Sequence, residues 1–383
     1  MRFKGKKPFL SIIVSVLIGL ILAALLLTAC GSPEKTTTPA TTMTTSPTTT
    51  TEEIPELVVS FASTTPAPPA AMSDGYEYIM NRVTELSGGK ITFEKYWNSS
   101  LLGKGELLEG IQNGVVDMAA GVAAWQAGKI PLTLVASNVI GGPKDTLTAT
   151  KVMKKMYAEL PELTEELAAY NIKLLYIQGS LCPDIHTTQP FETLEDLEGM
   201  KIALGGPGES AIFECIGAVP VVVPGPDRYV SLQRNVIQGQ MLGVNDIADN
   251  AMYEVAKYYT YVDWTKAGAL LHLWIGLDFW NNMTPAQQAI FTQAAEDGDE
   301  WFNGSYIDEA KLKSIDTMEE AGVTFYTLSD EDNQAWFDAM PNTAAAWADQ
   351  MEEQGLPGWK VLEAYLRICE EEGYVWLRDW TQE

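Results

Sequence analysis

Residues Leu194–Asp249 read LEDLEGMKIALGGPGESAIFECIGAVPVVVPGPDRYVSLQRNVIQGQMLGVNDIAD, with strand and helix signals in quick alternation. Met200–Leu204 is a short apolar run that stops at Gly205-Gly206-Pro207-Gly208, a chain-reversal signal. From Glu209 the apolar spacing turns helical through Ala211, Ile212, Cys215 and Ile216, and Gly217 closes that helix. Val219–Val223 is β-branched except for Pro220, which suits an edge strand. Arg228–Asn235 then reads as a helix and Gly239–Asn245 as a buried strand. Two β-α units in succession imply a parallel sheet with helices on its faces, and ligands of such sheets bind at the carboxyl ends of the strands. That puts Ala203–Gly206 and Met241–Asp246 at the mouth of a site.

The order of short motifs in this stretch resembles the solute-binding proteins of TRAP transporters (DctP type). The residues that carry the resemblance are Asp196-Leu197-Glu198-Gly199-Met200-Lys201-Ile202, Gly217-Ala218-Val219-Pro220, Asp227 to Gln233 and Gln238-Gly239-Gln240. It extends upstream through Ser87-Gly88-Gly89, Tyr96-Trp97, Leu102-Gly103 and Glu106 to Met118, and downstream into Trp280–Gln288, from about Leu57 to at least Ala295. No one motif is diagnostic; the ordered series is fairly specific. The resemblance implies an α/β, bilobal, periplasmic-binding-protein-like fold, with a ligand cleft between two α/β lobes and a long lobe-spanning helix. Residues 56–178 with about 268–310 would form the first lobe, and 179–267 with about 311–383 the second. It also implies capture of a small organic solute and delivery to TRAP membrane subunits. A sensor or scaffold lipoprotein of the same fold, feeding a signalling partner, is the alternative of a different class.

Outward from this core, the remaining elements follow the same α/β rhythm. Leu57–Phe61 reads as a strand, and Pro66-Ala67-Pro68-Pro69 delays the next helix to about Met72. Ile91–Trp97 and Val115–Ala119 read as strands around a helix at Leu107–Gln112. Val152–Leu167 reads as helical and Ile172–Ile177 as a strand. Asp246–Lys257 reads as helical, and Tyr258–Ile275 returns the chain to the first lobe. Thr284 caps a helix with Pro285 at its first position, and helical periodicity runs from Gln287 to about Met318, then again through an acidic, Trp-rich tail from Asp330. Ile111–Met118 echoes Leu232–Gly239, a helix end feeding a buried strand once in each half.

The amino terminus has a different composition. Arg2, Lys4, Lys6 and Lys7 precede an apolar run from Phe9 to Leu27, followed by Thr28-Ala29-Cys30, which resembles a lipoprotein signal peptide over residues 1–29. Cleavage before Cys30 would leave a lipidated cysteine, whereas an uncleaved anchor gives Cys30 no role; either reading exports the chain. Residues 30–55, rich in Thr and Pro, cannot bury enough apolar surface to fold and read as a disordered tether. Of 25 Lys and Arg, the leader takes four; the other 21 against 51 Asp and Glu give a formal −30. That charge disfavours nucleic acid and anionic lipid surfaces as partners. Beyond Cys30, only Cys182, Cys215 and Cys369 occur, an odd set from which one disulfide or none can form, with no C-x-x-C pair.

No catalytic signature is present: there is no G-x-S-x-G, H-E-x-x-H or P-loop. No metal-ligand spacing occurs around His186 and His272 either, so neither enzyme chemistry nor a cofactor is expected. Relatives of this type hold a substrate carboxylate with an Arg directly after the K-I of K-I-R and an Asn in G-Q-E-N. Here those positions are Ala203 and Leu242, which removes the expected bidentate clamp. The residues left as candidate ligand contacts are Trp97, Trp125, His186, Ala203, Leu242, Asn245, Asp246, Trp264 and Trp274. An aromatic lining with one acid suits a cationic, zwitterionic or neutral solute.

Overall fold

The computed structural model describes residues 54–204, 209–267 and 270–382. The leader, Cys30, most of the tether and the Gly205–Gly208 turn lie outside the described residues. Eleven strands are described: β1 Leu57–Ser63, β2 Ile91–Tyr96, β3 Met118–Val122, β4 Ile172–Gln178, β5 Asp184–Thr187, β6 Lys201–Leu204, β7 Val219–Val222, β8 Gly239–Leu242, β9 Tyr258–Tyr261, β10 Leu271–Gly276 and β11 Thr324–Thr327. They form two sheets, β2-β1-β3-β10-β4 and β11-β9-β5-β8-β6-β7, one per α/β lobe. Among the described residues no helix is long and apolar enough to cross a membrane.

Both sheets are mixed, where the β-α reading implied a parallel one. The β1–β2, β1–β3, β6–β7, β6–β8 and β9–β11 pairs are parallel, whereas β5 and β10 run antiparallel to both of their neighbours. The exceptions have one cause. β5 is the first strand after the chain leaves the first lobe and β10 the first after it returns, so each enters its sheet from the opposite side.

The echo between the halves is a shared construction. Gly114 and Asn235 close their helices with positive φ, +67° and +55°, the left-handed turn that ends a helix. The next polar residue but two then fixes the neighbouring strand. The Asp117 carboxylate accepts from the Ser60 amide at 2.8 Å, and the Gln238 side-chain carbonyl accepts from the Lys201 amide at 3.0 Å. This closure uses up Val115 and Val116, whose amides bond back to the Gly110 carbonyl, so β3 starts at Met118 and not at Val115.

Two helical expectations need correction. Val152–Leu167 is two helices, Thr146–Glu159 and Pro161–Ala168. Pro161 lacks an amide proton and cannot continue the first, but is well placed to begin the second. Asp246–Lys257 contains only Val244–Asp249 and a short turn at Met252–Glu254, because Ala251 adopts φ +51° and ends the helix.

The long helix runs from Pro285 to Glu320, with a wider π-type turn over Asp299–Tyr306. Thr284 caps it through the Gln287 amide, and the Gln287 side chain accepts in return from the Thr284 amide. At the wide turn the buried Asn303 donates to the Ile177 carbonyl at 3.0 Å and accepts from the Gly179 amide at 2.9 Å. It thereby holds the backbone where the chain departs for the second lobe.

The carboxyl-terminal helices Asp330–Ala339, Thr343–Glu353 and Gly358–Glu371 pack into the largest apolar cluster. That cluster joins Val152, Met153 and Met156 of the first lobe to Ile202, Leu204 and Phe213 of the second.

Candidate ligand-binding site

A cavity of about 310 Å³ opens between the two sheets. It lies at the carboxyl ends of β3, β6, β8 and β9, the end at which parallel strands present ligands. The first lobe supplies Ala124, the Ala136–Pro143 segment, Ala149 and Leu270. The second supplies Pro183, Glu209, Ile212, Met241 and Trp264–Ala267, and the carboxyl-terminal helix adds Tyr365. Such a volume is at the small end of ligand sites.

The walls are set by close packing. Trp264 is buried, with its ring 4.8 Å from Trp336 and 6.2 Å from Phe213, both edge-on. Trp336 donates its indole N–H to the Ile212 carbonyl at 2.7 Å, so one aromatic group fixes two lining residues. Gly142, at φ +137°, suits glycine by its backbone, and a Cβ there would press on the Tyr365 hydroxyl at 3.2 Å and on Lys266 Cδ at 3.4 Å.

Polar groups stand behind this wall. Thr265 lines the cavity and donates to Asp184, 3.2 Å away, which also accepts from the Val262 amide at 3.1 Å. Burial pushes the Asp184 carboxyl up to about 6, against the pull of those hydrogen bonds and of Lys144. The Cys182 thiol sits 2.8 Å from the Thr265 hydroxyl and is pushed up by burial to about 12, with Asp184 adding to the shift. All three cysteines among the described residues are free thiols.

Two cations approach the site. Arg228 is buried; its guanidinium donates to the Val223 carbonyl at 3.1 Å and the Met241 carbonyl at 3.5 Å, and feels the charges of Glu209 and Asp246. Lys266 lines the cavity itself, and its ammonium donates to the Val139 carbonyl. Burial pulls Lys266 down to about 8.

Of the nine residues expected at the site, Trp264 lines this cavity. Ala203 is fully buried on the opposite face of β6 from Ile202 and Leu204, packed with Val223, Leu232 and Ile237. His186 lies in the core of the second sheet. Its ring nitrogens sit 3.2 Å from the Ala256 carbonyl and 3.2 Å from the Gln240 amide, and burial lowers it to about 4. Trp274 is buried in β10, stacked on His272 at 5.6 Å. Trp97 meets Phe61 edge-on at 5.0 Å, and Trp125 carries Lys104 over its ring at 4.6 Å. Leu242 packs with the second lobe's apolar cluster around Val244 and Tyr259. Asn245 lines a separate opening beside Asp74, Asp249 and Tyr306. Asp246 is half-buried and pushed up to about 6, first by burial and then by Asp249.

Sequence reasoning had placed Met241 at the mouth of the site, but Ile140, Lys266 and Tyr365 were not among its candidates. Lys266 had a visible signal, being the one Lys or Arg of the returning segment Tyr258–Ile275. Tyr365 had none.

The family model described as bacterial extracellular solute-binding protein, family 7 (DctP), matches residues 62–353. The 2,3-diketo-L-gulonate-binding periplasmic protein of Escherichia coli K12 is 26% identical over 264 residues, 67% of this chain and 77% of the relative. The C4-dicarboxylate-binding protein of Bacillus subtilis is 26% identical over 263 residues, 66% of this chain and 72% of its own. Among solved structures, a TRAP periplasmic solute-binding protein from Desulfovibrio salexigens superposes with a TM-score of 0.74 at 23% identity, covering 82% of this chain and 96% of that one. Another from Rhodoferax ferrireducens, in complex with benzoate, gives 0.70 at 18% identity, covering 82% and 98%.

Proposed function

Because this chain belongs to family 7 of the bacterial extracellular solute-binding proteins, we propose that it captures a small organic solute outside the cytoplasm and delivers it to the membrane subunits of a TRAP-type transporter. The observation that carries this is the cavity lined from both lobes, with Trp264 on one side and the Ala136–Pro143 segment on the other. A solute held there touches both lobes at once, so it favours the closed arrangement over any open one by its differential contacts. The expected role is capture without turnover: the lining residues hold one half-buried lysine and one glutamate among mainly apolar groups. Lipidation at Cys30, after removal of residues 1–29, would tether the protein to the outer face of the membrane through the Thr/Pro-rich segment.

The test has two stages. Solutes are screened by thermal shift and by the fluorescence of the tryptophans near the cavity. A ligand at 100 times its dissociation constant stabilises the native state by about 2.7 kcal/mol. The solute that binds is then supplied to TRAP membrane subunits reconstituted in vesicles, with and without this protein. Uptake that depends on the protein is the expected result. A chain that stabilises with no solute, or uptake indifferent to its presence, would overturn the assignment.

A further inference from the structure

The solute-binding reading leaves open what the cavity selects, and Lys266 bears on that directly. It is the one cationic side chain lining the cavity among the described residues. The residue is half-buried overall, but its ammonium end is enclosed by protein. The groups facing it are mostly uncharged. The Val139 carbonyl accepts from it, and the titratable groups acting on it are the Cys369 and Cys182 thiols. Both are pushed by burial to about 12 and stay protonated at neutral pH. The hydroxyls of Tyr365 and, from the far side of Gly141, Tyr374 are also raised and neutral. Glu209 lines the second-lobe side of the cavity, where its charge acts on Arg228.

An enclosed ammonium without an anionic partner is expensive, and adding one anion in contact relieves the cost. We propose that Lys266 anchors the ligand, receiving the carboxylate of a small monocarboxylic acid whose apolar body lies against Trp264, Ile140, Ile212, Met241 and Leu270. A single carboxylate fits, because one cation lines the cavity among the described residues. Lysine is a compact point charge with no fixed fork, so it takes over the role of the arginine absent at Ala203 without that residue's bidentate geometry. The apolar lining then decides which body is accepted.

The pairing has a proton signature. The ligand's carboxylate favours the charged ammonium, so binding raises the lysine from its position near 8 in the empty site. At pH 8 binding therefore takes up roughly half a proton, and affinity falls about tenfold per unit of pH above that point.

The experiment uses isothermal titration calorimetry on the full chain in mild detergent. The probes are isovalerate, benzoate, phenylacetate, succinate, glycine betaine, phenethylamine and a neutral polyol. Titrations at pH 8 are run in phosphate and in Tris, whose different ionisation heats reveal proton uptake. The expected result is binding of at least one monocarboxylate above succinate, with proton uptake, a loss of roughly 30-fold or more in Lys266→Met, and partial retention in Lys266→Arg. Proton uptake is read on the unaltered protein, so the outcome does not depend on a variant folding. Binding confined to amines, betaine or polyol would overturn the proposal and leave the solute-binding reading standing. Monocarboxylate binding that is unchanged in Lys266→Met and takes up no proton would do the same. Binding of no probe would overturn both.

Discussion

Replacing Trp336 with alanine perturbs the fold and the cavity at once. The side chain is fully buried, with ring partners Trp264 at 4.8 Å, Phe213 at 5.6 Å and Phe191 at 6.3 Å. Truncating a buried Trp to Ala costs about 3–5 kcal/mol through lost transfer energy and the void left behind. The lost hydrogen bond adds little, because the Ile212 carbonyl keeps the Cys215 thiol at 3.2 Å. Against a net stability of about 5–15 kcal/mol, the variant remains folded but weakened. At about 2 °C per kcal/mol for a unit of this size, the expected fall in Tm is about 6–10 °C. Trp264 also loses its nearest ring neighbour, so solute affinity should fall in the same variant. Circular dichroism melts give the first number and fluorescence titration the second. Trp336→Phe, which keeps a ring but not the N–H, should lose less than half as much. A melt of Trp336→Ala within about 2 °C of the parent would show that the cluster does not bind the carboxyl-terminal helices to the second lobe.

Truncation after Glu353, where the family match ends, should abolish cooperative melting. It removes Val361, Leu362, Tyr365, Ile368, Cys369 and Trp380, all essentially buried, and at about 1.5–3 kcal/mol for each large apolar side chain the loss rivals the whole net stability; a truncated chain melting within about 5 °C of the parent would refute this. Asp184→Asn should change the pH dependence of stability. The carboxyl sits near 6 in the folded protein against 3.8 in a free chain, so its favourable contribution is complete below about 3.8 and is lost as pH rises through about 6. The stability of the variant relative to the parent should thus improve by about 2 kcal/mol between pH 4 and pH 7, read from paired denaturant titrations. A difference that does not vary with pH would contradict the assigned shift.

The elements of the fold were largely legible because their punctuation is chemical. Pro66 to Pro69, Gly88-Gly89 and Thr284-Pro285 act through the backbone of their own segment, and the observed boundaries follow them closely. What escaped was decided at a distance. The directions of β5 and β10 depend on which side the chain enters a sheet, which no local pattern records. The placement of Ala203 and His186 turned on strand alternation. Ile202, Leu204 and Ile185 take the face toward the shared core, so the residues between them turn away from it. Trp264 lines the cavity, whereas Trp274, later in the same returning segment, is buried in β10. Lys266, two residues after Trp264, was passed over because lysine on an acidic chain reads as ordinary surface charge; its place as the one Lys or Arg of the returning segment was visible, its burial was not.

The carboxyl-terminal region ties that cavity to the relative position of the lobes. Helix Asp330–Ala339 belongs mechanically to the second lobe: Trp336 bonds to Ile212, and Asn333 accepts from the Asp263 amide at 2.7 Å. The segment after it bonds to first-lobe residues. Thr343 donates to the Asn138 carbonyl at 2.7 Å, while Arg367 pairs with Glu159 at 2.5 Å and Glu372 with Lys151 at 2.5 Å. The ion pairs involve exposed partners and are worth at most about 1 kcal/mol each, whereas Val361, Leu362 and Ile368 are buried in the shared apolar cluster with Met156. Opening the cavity by tearing off either attachment would therefore expose core. Met340–Asn342 joins the two helices through Pro341 in non-helical backbone, with Met340 buried in the same cluster, so the lining residues Trp264 and Tyr365 are held by attachments on either side of that link.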